Sequence, residues 1–363
     1  MPHLFGRDWT RAELQARVGD MSQLAAVRRA EWVEGIERGA GLIEVFNASG
    51  LCFTVLPGRA LDIAFAHYRG LGLCFRGNVG DVGPAFYEPE GDGWLRGFFG
   101  GLLTTCGLSF VGHAETDPEE ENRELGLHGR LAFLPARNVV AEAQWEGQDY
   151  VVRIRGRMRE AVVFGTNLEM TREITTVLGE KCLRLHDRVE NLGFQRSPLM
   201  VVYHTNPGFP LLDEGARLVL SSQRSREWFE ELEEEREVGP ESYTTVSAPT
   251  CGRHDRVIVH DPVADATGHV RVALLNDRLG IGLYWKFPKD ELPILNQWQH
   301  FEAGTYVTGI EPGNCSVLGR QRNRAAGTLE YLAPGEQREF HLEIGVLDGP
   351  EEMAAWASCS PQP

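Results

Sequence analysis

Short apolar runs and strict alternation dominate the chain from about Gly41 onward, and both patterns predict strands. Leu183, Leu185 and Val189 are separated by Arg184, His186 and Arg188, so one face would meet a core and the other water. Further runs at Leu42 to Val45, Leu51 to Leu56, Tyr150 to Arg155 and Lys181 to Val189 are each bounded by Gly, Pro or Asn. Many such segments with little helical periodicity predict two packed antiparallel sheets rather than βαβ units. The ends differ. Thr10 to about Glu37 reads as helical, because Thr10-Arg11-Ala12-Glu13 has capping-box spacing and Trp9 can staple onto Leu14. Pro350 to Ala357 reads as a short terminal helix. The predicted organisation is a helical arm over 1–40, a β-sandwich over 41–348, and a helix with tail over 349–363.

Two acidic stretches break the strand rhythm: Asp117 with Glu119 to Glu121, and Glu227 with Glu230, Glu231 and Glu233 to Glu235. Each reads either as a lid or, as charge runs usually do, as a solvated face.

Composition narrows the function classes. Hydrophobic residues are 42% and charged residues 24% of 363, enough apolar material for a substantial core. A net charge of −16 repels phosphate backbones and argues against a nucleic-acid partner. No basic-then-apolar leader and no run of 18 apolar residues is present, so a cytoplasmic protein without a membrane partner is expected. The seven cysteines are scattered and include no C-x-x-C pair, which predicts free thiols rather than a disulfide framework or zinc knuckle.

Candidate chemistry lies in three stretches, each placing an ionisable residue among Gly, Pro or aromatic neighbours near a strand end. They are Gly126-Leu127-His128-Gly129-Arg130, Tyr203-His204-Thr205-Asn206-Pro207-Gly208-Phe209 and Gly309-Ile310-Glu311-Pro312-Gly313-Asn314. Singly each is weak, because a histidine beside glycine is more often structural. Together and in this order they resemble the aldose 1-epimerase (galactose mutarotase) superfamily. The chain is most similar to its DUF4432 branch, through Val18-Gly19-Asp20, Pro57 to Asp62, Val189 to Gly193 and Pro334-Gly335-Glu336.

The resemblance implies an all-β, antiparallel, galactose mutarotase-like β-supersandwich, with a sugar or sugar acid in an open cleft. It implies that His204 protonates the ring oxygen, Glu311 takes the anomeric hydroxyl proton and His128 assists, without a cofactor. Such a pair suits the reaction, since opening a hemiacetal removes one proton while delivering another. The chain departs from the superfamily where a substrate-binding arginine is expected, reading Phe98-Phe99-Gly100-Gly101-Leu102 instead. Arg59, Arg76, Arg130, Lys286 and Arg320 are candidates to replace it and would favour an anionic sugar. Trp298 is a candidate stacking platform and Gln297, Asn206 and Asn314 are candidate hydroxyl ligands, although a tryptophan in a β-protein is more often core. A metal site from His67, His128, His204, His260, His300 and Glu311 has no ligand spacing behind it, and none is expected. Two other readings remain open: proton abstraction from carbon on an oxidised or acidic sugar, giving elimination or epimerisation, and a silent sugar-binding module. The expected assembly is a monomer or homodimer.

Overall fold

The runs bounded by glycine and proline fold as strands. In the strand Cys182–Asn191, Leu183, Leu185 and Val189 are buried while Arg184 and Arg188 are half-exposed and His186 is exposed. The computed structural model describes every residue except 121, 122, 230, 231, 253, 254 and 360–363. Glu121, Glu230 and Glu231 of the acidic stretches lie outside the described residues.

Three antiparallel sheets carry the fold. A back sheet of eight strands contains Arg137–Glu146, Asp149–Ala161, Asn167–Val177 and Cys182–Asn191 in sequence order, then Gln337–Asp348 and Ile281–Pro288. A front sheet, also eight-stranded, has Ser222–Phe229, Asp255–Pro262, Ile294–Glu302, Thr305–Gly313 and Ser197–His204 side by side, with Thr104–Leu108 also paired to Ser197–His204. A five-stranded meander, Ala26–Glu31 to Leu71–Gly72, closes one end. One apolar cluster joins all three, from Ile43, Val55 and Ile63 through Ile174, Leu185 and Trp285 to Tyr203, Leu295 and Ile310.

The N-terminal segment corrects the expectation of a long helix. The capping box forms at Thr10 and Glu13, but the helix spans only Arg11–Gln15, and Ala26–Glu31 is a strand paired with Gly41–Phe46. Strong local start chemistry thus gave one turn of helix, and sheet pairing took the rest. At the other end the helix Pro350–Ser358 buries Met353 and Trp356.

The described parts of both acidic stretches pair as antiparallel strands, Glu115–Asp117 with Arg123–Leu125 and Ser222–Phe229 with Glu234–Glu237. Asp117 accepts from Arg320 and Arg324, and Glu227 pairs with Arg256 at 2.7 Å. Asp117, Glu119, Glu120, Glu227, Glu234 and Glu235 are bound in ion pairs, and a different segment covers the candidate site.

Candidate functional site

The strand Ser197–His204 is buried along its whole length. Alternation therefore decides what each residue meets. Tyr203 points into the space between the sheets, where its hydroxyl donates to Asp187 at 2.8 Å. His204 takes the opposite face. On the neighbouring strand Thr305–Gly313 the same alternation buries Ile310 in the intersheet core and turns Glu311 to the face of His204. The strands are joined by the Val202–Gly313 pair and the Thr205–Ile310 bridge. Two residues 107 positions apart thus approach, His204 Nε2 lying 3.3 Å from Glu311 Oε1.

Gly309 makes room for this approach. A Cβ at that position would sit 2.1 Å from Glu311 Oε1, so any side chain there would displace the carboxylate.

The pair is dry. His204 is 5% exposed and Glu311 2%. Burial pushes the Glu311 carboxyl up to about 8 and the His204 imidazole down to about 4, in both cases mainly because the charged form loses its water. The pair therefore holds one titratable proton between those limits, and it resides on Glu311. His128 is the third member, its ring centroid 5.9 Å from that of His204, and burial again holds its imidazole well below the usual range. Its backbone adopts φ +55°, a left-handed conformation uncommon away from glycine. Bonds from His128 N to Gly112 O and from Gly107 N to His128 O fix it there.

An aromatic cover closes the site. Trp94, in the short 3-10 turn Gly93–Gly97, lies edge-on to His128 at 5.0 Å. Phe98 lies edge-on to His204 at 5.4 Å, and Trp298, on the strand Ile294–Glu302 beyond that of Glu311, approaches His204 at 5.7 Å. Beneath this cover Trp94 Nε1, His128 Nδ1, His204 Nδ1 and Glu311 Oε1 are buried without a hydrogen-bond partner. The 3.3 Å approach of the pair lacks hydrogen-bond alignment. Buried polar groups are normally satisfied, so a cluster of orphans marks a place prepared for another molecule's polar groups.

Trp298, the candidate stacking platform, lies against His204 with its Nε1 donating to Asp255 at 3.1 Å. Asn206 lies beside it. Its amide donates to Gly100 O and His204 O, and its Oδ1 is buried and unpartnered.

The other candidates are placed elsewhere. Arg59 is buried and donates to the carbonyls of Ala132, Val82 and Gly97, tying three loops, including the one that carries Trp94. Arg76 is held by Asp81 and Ala64 O. Arg320 is spent on Asp117, Glu120 and Ser109 O. Lys286 lines a groove on the back sheet, and exposed Arg130 lines a separate groove of about 430 Å³. Gln297 alternates away from Trp298 into the interior, bonding His260 and Tyr243 O. Asn314 bridges Val201 N and Leu199 O. Arg59, Arg76, Arg320, Gln297 and Asn314 are candidates by their chemical type, and each is already committed to a backbone or side-chain partner. The buried cations among these candidates, Arg59 and Arg320, are already bonded within the protein, and the segment corresponding to the missing arginine instead delivers Phe98.

Of the six groups weighed as metal ligands, His128, His204 and Glu311 come together. His67 is exposed on the meander, His260 is bonded to Ser225, and His300 pairs with Asp255. Trp94 and Phe98 were missed by the sequence reading; their only signal was a run of aromatics among glycines.

Comparison with known proteins gives the family and the fold. The model of the family described as a domain of unknown function, DUF4432, matches residues 37–346. No curated protein matches the chain at a significant level. Among solved structures, a Klebsiella pneumoniae subsp. pneumoniae protein provisionally named aldose 1-epimerase shares 26% identity at TM-score 0.85, over 95% of this chain and 88% of that one. A galactose mutarotase-like protein from Clostridium acetobutylicum has 12% identity at TM-score 0.66, over 90% and 99%. The galactose 1-epimerase of Lactobacillus acidophilus has 12% at 0.57, over 90% and 99%. At those two identities the likeness is one of fold, and the fold is the galactose mutarotase-like β-supersandwich.

Proposed function

This chain belongs to the DUF4432 family, and from that premise we propose that it is a carbohydrate isomerase of aldose 1-epimerase type, interconverting sugar anomers by acid–base catalysis. The observation that carries the reading is the buried His204–Glu311 pair, 3.3 Å apart beneath an aromatic cover, with His204 Nδ1 and Glu311 Oε1 left without a hydrogen-bond partner.

The chemistry follows from one shared proton. Ring opening delivers a proton to the ring oxygen and removes one from the anomeric hydroxyl; rotation about C1–C2 and reclosure return both. A pair holding one proton on two sites can give and take in the same event, and no proton is left over. In the closed site the proton rests on Glu311. Sugar hydroxyls entering beneath Trp94 supply the missing hydrogen bonds and stabilise the form with the proton on His204, in which His204 is the acid and Glu311 the base. His128 bonds an adjacent hydroxyl, and Trp298 and Trp94 pack on the ring's apolar face.

The test is proton NMR in D₂O with freshly dissolved α-anomers of a panel of aldoses and uronates. The expected result is anomer exchange faster than the spontaneous rate on at least one sugar, with every C–H proton retained. Deuterium appearing on carbon would replace this reading with carbon-proton abstraction. Equal acceleration by the Glu311→Gln variant would remove the pair from the mechanism.

A further inference from the structure

The outward face of the back sheet carries a groove of about 310 Å³ whose walls include three imidazoles, His186, His269 and His341. His186 and His341 stand directly opposite each other in the ladder between Cys182–Asn191 and Gln337–Asp348. Their rings stack with centroids 4.3 Å apart and planes 11° from parallel. Glu339, two residues before His341 on the same face, places its carboxylate 3.5 Å from His186 Nε2. Each of these three residues offers a ligating atom within 4.8 Å of the others.

A second observation concerns how His341 is held. The strand Ile281–Pro288 pairs with this part of the sheet only as far as Lys286–Glu343, leaving the His341 N–H outside the ladder. Glu291 fills the gap, accepting from His341 N at 2.6 Å and lying 2.9 Å from its Nδ1. A carboxylate on one ring nitrogen fixes the tautomer and leaves the other nitrogen's lone pair free. Metal-bound histidines are oriented in this way.

We propose that His186, His341 and Glu339 form a binding site for a divalent transition ion of the zinc type, with Glu291 orienting His341. Two imidazoles and one carboxylate suit zinc better than magnesium or calcium, which prefer all-oxygen shells. Tetrahedral zinc, with bonds of about 2.0–2.2 Å, needs ligand atoms roughly 3.3–3.5 Å apart. The exposed His186 ring reaches that spacing by swinging off the stack, because parallel rings aim their lone pairs side by side. Two cations share the groove. Arg184 is bound to Glu180 and Glu343, and Lys286 stands across the ladder from Glu343. The bound ion would clasp neighbouring strands and stabilise the folded chain. None of these ligands belongs to the histidine set weighed from sequence, and the site lies on the opposite sheet from His204, so neither proposal depends on the other.

The experiment is zinc titration of the untagged full chain against a chromophoric chelator, with melting temperature recorded with and without zinc. We expect one zinc per chain, a dissociation constant on the order of 1–10 µM and a raised melting temperature. His186→Ala and His341→Ala should each weaken binding at least ~10-fold, and Glu291→Gln by about 10-fold. His204→Asn should leave it unchanged. Melting without zinc reports whether each surface variant is folded. No binding at 100-fold higher zinc than that constant, full affinity in the His186/His341 double variant, or loss of binding in His204→Asn would each overturn the site.

Discussion

Two groups of buried polar side chains lie on opposite faces of the strand that carries His204. Behind it, Arg172 bonds Asp62 at 2.9 Å and Asp187 at 2.7 Å, Tyr203 donates to Asp187, and Thr105 donates to Asp62 through both N and Oγ1. All the charges there have partners, and the two carboxylates raise the Arg172 guanidinium above its usual range even against the cost of burial. In front, His204 and Glu311 are buried, His128 is half-buried, and the buried His204 Nδ1, His128 Nδ1 and Glu311 Oε1 have no partner. Both regions bear the desolvation cost, and only the rear one recovers it within the protein. The difference is between polar groups satisfied within the protein and polar groups left with bonds still to make.

The comparison can be broken in order of effect. Arg172→Met strands two carboxylates in the interior and should lower stability by about 3–5 kcal/mol in urea unfolding. Turnover per folded molecule should persist. Glu311→Gln or His204→Asn should invert that outcome, lowering kcat at least ~10²-fold while the fold survives. Wild-type turnover in either variant would put the front cluster in the same class as the rear one.

Glu311→Gln should also stabilise the protein at pH 7, by ~1–3 kcal/mol. The folded carboxyl keeps its proton to about 8, whereas the unfolded group, with its usual value of 4.5, has released it. Native stability therefore falls between those limits as pH rises, and the advantage of the amide should fade below pH 4.5. The same values predict that kcat/KM declines above about pH 8, when the pair has lost its proton, and below about pH 4, when His204 gains a second. The smallest expected effect is that of Gly309→Ala. Its methyl displaces the Glu311 carboxylate and should cost about 10-fold in kcat, with melting temperature nearly unchanged.

Much of this was legible in the sequence because it rests on local rules. The period of two in Cys182–Asn191, the capping box at Thr10 and the helix at Pro350 were each written in neighbouring residues. His204, Glu311 and His128 were reachable through motifs, since each sits at a strand end or turn with a distinctive neighbourhood. Substrate contacts were not. Arg59, Arg76, Gln297 and Asn314 were singled out by chemical type, but what they bond is decided by segments tens or hundreds of positions away. Trp94 and Phe98 escaped because an aromatic in a glycine-rich loop carries no sign of which surface it will cover. The long helix expected before Glu37 failed for a related reason: the partner strand Gly41–Phe46 outweighed local preference over Ala26–Glu31.

Arg59 grips Val82, Gly97 and Ala132 by their carbonyls alone. A guanidinium that reads main chain is indifferent to which side chains those positions carry. The three loops, one of them carrying Trp94, are thus held to one another through their main chain.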